Sequence, residues 1–195
     1  MFDKELFPQR RMCWIRCKGI TVSRLEIYYI KRGKEKVNRI IGKQFHSIFR
    51  VADMLCLNFG TDLQIEWNEK KRIVPEYSFH IQTQWRFIRN DTIILASRDI
   101  YKPYSNQVPD DWEYDQFGRS DEESNIFDVL REEICNCLNG CVVTKCDYTV
   151  LGDLTITFSD GTLFETFTPS SRKEEFWRLL DYINNEHLVV FEEKI

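Results

Sequence analysis

The sequence predicts an α+β protein, mostly antiparallel β, built of two similar β units with one principal helix between them. Three observations predict it. The chain is rich in aromatic side chains, with five Trp, eight Tyr and fourteen Phe among 195 residues, and such residues favour half-buried strands. Apolar and polar residues alternate over two separate stretches, beginning at Leu55 and at Leu154, which is the period of a strand with one buried face. Between them Ile126, Leu130, Ile134 and Leu138 recur every four residues, the spacing of one helical face.

The totals narrow the class. A composition of 43% hydrophobic and 30% charged residues is that of a folded domain able to bury a core. A net charge of -4 gives no overall attraction for nucleic acid, which would need a local basic patch. No run approaches the roughly 20 apolar residues of a membrane helix, and Met1 to Arg11 mixes charges with no apolar run behind it, unlike a secretory signal. Seven cysteines, an odd number, fit reduced thiols in the cytoplasm better than a disulfide framework.

Taken in order, residues 1–36 read as an N-terminal β appendage. It holds two short strands, Met12 to Cys17 and Leu25 to Ile30, and a basic linker from Lys31 to Lys36 broken at Gly33. Residues 37–195 form the main domain, with β units at about 37–100 and 141–195. In the first unit Leu55, Leu57 and Phe59 alternate until Gly60 ends the strand, and a second strand fits Asp62 to Trp67. A charged turn follows, Asn68 to Arg72. One long strand then runs from Tyr77 through Trp85 to Ile88 and turns at Asn90-Asp91, residues that tolerate left-handed backbone. Thr92 to Ser97 returns. Tyr101 to Arg119 has no period and reads as a surface loop. The helix spans Ser124 to Leu138, capped by Ser120 or Ser124 and stopped at Asn139-Gly140. Leu154 to Phe158, a turn through Gly161, and Leu163 to Thr168 follow. Trp177 to Ile183 pairs across Asn184-Asn185 with Leu188 to Phe191, although Glu174 to Tyr182 also fits a helical face.

The two β regions align. Leu55 to Phe59 corresponds to Leu154 to Phe158, and Trp85-Arg86 to Trp177-Arg178. Asn90-Asp91 then matches Asn184-Asn185, and Ile93 to Leu95 matches Leu188 to Val190. Duplicated units persist where neighbours bury each other's faces.

A wider set of residues carries a resemblance. It comprises Ile40-Ile41-Gly42-Lys43, Arg50, Met54, Phe59-Gly60, His80-Ile81-Gln82, Trp85-Arg86, Ala96-Ser97-Arg98-Asp99, Gly152-Asp153-Leu154, Phe158, Gly161, Phe167 and Trp177-Arg178. Over roughly Asn38 to Val190 the chain resembles a family of uncharacterised bacterial proteins, themselves similar to the small immunity and antitoxin-like proteins that accompany toxins. The resemblance implies a non-catalytic role and carries over no catalytic residue.

Chemistry-bearing residues are few. Cys135, Cys137, Cys141 and Cys146 cluster, but their gaps do not fit the paired two-residue spacing of a zinc site, so small, partly buried thiols are expected and no metal or cofactor. His46, His80 and His187 adjoin no nucleophile, and no phosphate-binding glycine loop is present. Gln82, Gln84 and Arg86 share one strand parity and would project together, near Tyr101 or Trp112, with Arg98-Asp99 as a turn ion pair. The most distinctive surface signal is Asp110-Asp111-Trp112-Glu113-Tyr114-Asp115, followed by Asp121-Glu122-Glu123. Acids interleaved with aromatics suit a protein-binding edge, and a basic toxin domain would be a fitting partner. Asp110, Asp111, Trp112, Glu113, Tyr114, Asp115, Gln82 and Arg86 are therefore the candidate partner-binding residues. A hydrolase or nuclease using scattered acids, Arg and His is the alternative, and a structural scaffold a second.

Overall fold

The computed structural model describes residues 33–115, 123–172 and 174–190. The expected appendage strands, the Asp121-Glu122 acids, Cys13 and Cys17 lie outside these residues. The described residues form ten strands in two antiparallel sheets. The first unit supplies β1 (Phe45–Val51), β2 (Met54–Trp67), β3 (Lys70–Ile81), β4 (Gln84–Arg89) and β5 (Thr92–Ala96). After helix α1 (Ile126–Leu138), the second supplies β6 (Val143–Tyr148), β7 (Leu154–Phe158), β8 (Leu163–Phe167), β9 (Trp177–Asp181) and β10 (Glu186–Val190).

The sheet orders, β1-β2-β3-β9-β10 and β5-β4-β8-β7-β6, show how the units combine. Each keeps its first three strands together and lends its last hairpin to the other's sheet. The same permutation describes both halves, so the repeat is a pseudo-twofold with exchanged hairpins. Register agrees in detail. The β1–β2 ladder shifts between Phe45 and Ser47, and the β6–β7 ladder between Val143 and Lys145, at matching positions. Gly42 and Gly140 both take positive φ, 82° and 80°, where a side chain would be strained. The segments leading into β1 and β6 meet at a Gln44–Val142 bridge, and the matching rings of Phe59 and Phe158 stack at 6.2 Å. One hydrophobic core draws on both sheets, and Trp85 and Trp177 are among its largest buried side chains.

The helix completes the second unit. It leads into β6 as the helical turn of residues 33–40 leads into β1, and it lies against β1, β5 and the 3-10 turn Ser97–Tyr101. The expected linker over Lys31 to Lys36 is thus partly helix, and its charges serve the fold. Lys34 pairs with Asp147 at 2.7 Å, Lys36 with Glu186 at 3.2 Å and Arg39 with Asp181 at 2.7 Å.

Several sequence expectations change. Gly60 does not end a strand: β2 runs on to Trp67, with a register shift between Phe59 and Asp62. At φ 86° glycine admits a bulge, and a Cβ there would collide with Glu76. The next turn is only Asn68-Glu69, both at positive φ, so Lys70 to Arg72 already belong to β3. The long strand through Trp85 is two strands, because the chain passes from one sheet to the other at Gln82-Thr83. Ile81, Thr83 and Trp85 stay buried across the break, so the period of two hides it. The helix is capped by neither serine. Asn125 takes that place, its side-chain oxygen accepting from the Asp128 N–H at 2.8 Å. The strand expected from Trp177 is present but ends at Asp181 rather than Ile183, and the helical alternative is not taken. In the last hairpins Leu95 faces Phe87 as Leu188 faces Leu179, so the true correspondence is displaced by two residues. A bulge between Phe87 and Ile88 absorbs the difference.

Asp181 is expected to make the stability of the fold depend on pH. Burial pushes its pKa up, but hydrogen bonds from the Asn184 side chain and backbone and from Arg39 outweigh burial, and the net shift is downward from 3.8. A depressed carboxyl stabilises the fold above its unfolded pKa, and that stability is lost as pH falls through the folded one. Urea unfolding between pH 6 and pH 2 should show stability falling below about pH 4, with Asp181→Asn less stable at neutral pH and flatter over that window. Parallel curves for the two proteins would rule Asp181 out as the source.

Candidate functional site

The acidic loop leaves β5 through the Ser97–Tyr101 turn and returns to α1. Its backbone is tied at both ends: Tyr104 donates to the Ser124 carbonyl at 2.8 Å, and Ile126 to the Lys102 carbonyl at 3.0 Å. The alternation within Asp110 to Asp115 then has a physical meaning. Asp110, Asp111, Glu113 and Asp115 are exposed, whereas Trp112 and Tyr114 are half-buried. The Trp112 indole N–H donates to the Glu123 carbonyl at 2.7 Å, and the Tyr114 ring packs edge-on against Tyr101 at 4.8 Å. The aromatics therefore anchor the loop, where the sequence suggested they would meet a partner, and the carboxylates alone face outward.

Beneath the loop is a buried charge. Arg50, its side chain 3% exposed, reaches from β1 to Asp128 in the first turn of α1. Its Nε lies 3.0 and 3.1 Å from the two carboxylate oxygens. Its Nη1 donates to the Ala52 carbonyl at 2.8 Å and its Nη2 to the Tyr114 carbonyl at 3.0 Å. Asn125 adds a bond from its amide to that same Tyr114 carbonyl, also at 3.0 Å. One guanidinium thus joins a strand, a helix and the loop, satisfying groups that would be costly if buried alone. Sequence reasoning missed this role. The only local hint was a lone Arg among the apolar residues of β1.

Beside the loop, where the chain crosses from β3 to β4, lies an open cleft of about 470 Å³, lined by Asp53, Gln82, Thr83, Gln84, Ser97, Arg98, Tyr101, Lys102 and Pro169. The Tyr101 hydroxyl donates to Asp53 at 2.9 Å. Burial first, and then this bond, push the phenol pKa up to about 12. Gln82 and Gln84 meet here as their parity predicted. Arg86 does not line the cleft. It pairs with Glu165 at 2.8 Å on the facing strand and stacks over Phe167, 4.6 Å from the ring centre. Asp99 does not pair with Arg98; it accepts from the Ala96 N–H at 2.8 Å.

The remaining polar residues are dispersed. His80 is half-buried, and burial, then the nearby Arg178, lower its pKa. Cys146 and Cys56 are buried, and burial pushes the Cys56 thiol up to about 11. Among the described residues no three of His, Cys, Asp and Glu converge as a metal ion would require, and no helix is long and apolar enough to cross a membrane. Comparison of the chain with protein-family models, curated proteins and solved structures found no match.

Proposed function

We propose that this is a non-catalytic binding protein whose acidic loop docks a basic partner protein, in the manner of an immunity protein that neutralises a toxin in the bacterial cytoplasm. The observation that carries the reading is the division of labour in Asp110 to Asp115: aromatics fastened inward, carboxylates outward. A loop already held in place loses little freedom on binding, and four clustered carboxylates steer a cationic surface toward it. The family resemblance supports the toxin-neutralising form of this role, and the odd number of cysteines fits a reducing compartment.

Purification from its own cells tests the reading. The native chain should bring down a basic protein that elutes as salt is raised. A variant carrying Asp110→Asn, Asp111→Asn, Glu113→Gln and Asp115→Asn should lose it while keeping the native melting temperature. Recovery of no partner, or of the same partner by both chains, would overturn the proposal.

A further inference from the structure

We propose that the cleft at the β3–β4 crossing is a binding site for a compact oxyanion, a carboxylate or phosphate group carried on a larger molecule. The cleft is rich in donors. Arg98 and Lys102 line it, are exposed, and make no ion pair with a described residue. By contrast Arg86, just beyond Gln84 in β4, is neutralised by Glu165. The carboxylate of the cleft, Asp53, already accepts the Tyr101 hydroxyl at 2.9 Å. The Thr83 hydroxyl is spent on the Phe167 carbonyl at 2.5 Å. Among the described residues the Gln82 amide nitrogen, in contrast, has only the Met54 sulfur at 3.7 Å, a weak acceptor. Two cations, two primary amides and the Ser97 hydroxyl are thus left facing a space larger than one oxyanion, as a site holding the anion and part of its carrier would be.

The pseudo-twofold shows that the fold does not demand this polarity. The ladders match Ile81 with Thr166 and Trp85 with Trp177, so Gln82 corresponds to Phe167 and Gln84 to Phe176. The second unit fills these positions with phenyl rings, and Phe176 is buried. It also crosses between sheets over residues 168–176, where the first unit uses only Gln82 and Thr83. The amides are a departure from the repeat on the side where Arg98 and Lys102 stand. The inference rests on the cleft and is independent of what the acidic loop binds.

The full chain should be titrated with sodium phosphate and, separately, sodium acetate, following backbone amide shifts against sodium chloride at matched ionic strength. Saturable shifts confined to residues 53, 82–84 and 97–102 are expected for at least one anion. Tighter binding of phosphate would assign a phosphate ligand, and tighter binding of acetate a carboxylate. Arg98→Ala combined with Lys102→Ala should weaken binding at least tenfold without changing the melting temperature. Gln82→Phe with Gln84→Phe, which installs the second unit's residues, should weaken it as well. Shifts no different from chloride, or equal binding by the Arg98→Ala/Lys102→Ala protein, would overturn the site.

Discussion

Replacing Arg50 with Met is expected to lower the unfolding free energy by about 3–5 kcal/mol, the usual cost of removing one partner from a buried ion pair. The side chain is almost wholly enclosed and meets Asp128, the Ala52 carbonyl and the Tyr114 carbonyl. Methionine keeps much of the volume but none of the donors. It leaves Asp128 without its counter-charge in the first turn of α1 and takes one donor each from the Ala52 and Tyr114 carbonyls, the latter keeping its bond from Asn125. Asp128 is itself 31% exposed, so water can recover part of the loss, which places the effect at the lower end of that range. Urea unfolding at pH 7 measures it. A change below about 1 kcal/mol, the scale of a surface pair, would show that the network is not a structural tie.

The second large effect is expected at Trp177, where truncation to alanine should cost about 3–5 kcal/mol. The ring is fully buried, packs 5.5 Å from Phe79 and 5.4 Å from Tyr148, and donates its N–H to the Gly152 carbonyl at 2.7 Å. Its counterpart sharpens the test. Trp85 is as deeply buried, yet its indole nitrogen has no hydrogen-bond partner among the described residues. The turn that holds Gly152 spans residues 149–153 and yields a carbonyl to Trp177, whereas the matching β1–β2 turn is the tighter Ala52-Asp53. Trp177→Phe should therefore cost about 1–3 kcal/mol more than the packing change alone, for the stranded carbonyl. Trp85→Phe should cost less, since it removes a donor whose burial is uncompensated. Equal losses in the two phenylalanine variants would contradict this asymmetry.

The parts of the fold legible in the sequence are those written as local periodicity. Leu55-Leu57-Phe59, Leu154-Ile156-Phe158 and the four-residue spacing of α1 each report a buried face, and the paired Trp-Arg motifs mark equivalent places. What escaped detection depends on partners distant in sequence. Alternation reports which residues are buried and not which sheet buries them, so the exchange of hairpins left no local trace. The basic stretch Lys31 to Lys36 reads as a linker because its lysines carry no local pattern, yet Lys34 and Lys36 serve ion pairs with Asp147 and Glu186. In the loop, composition identified a distinctive segment but assigned the aromatics to a partner. Hydrogen bonding and packing within the chain hold Trp112 and Tyr114 half-buried, a role that composition does not report. Gln82 and Gln84 were correctly grouped by parity, and Arg86 was separated from them by Glu165, a residue of the other unit.

An acidic loop that is held in place before any partner arrives is tested most directly by amide hydrogen exchange. In the native chain the Tyr104 and Trp112 amides, which donate to the Ser124 and Pro109 carbonyls, should exchange far more slowly than in an unstructured peptide. In Arg50→Met that protection should collapse while the β3 and β9 amides stay protected. Exchange of the Tyr104 and Trp112 amides at unstructured rates in the native chain would show that the loop is not held in place.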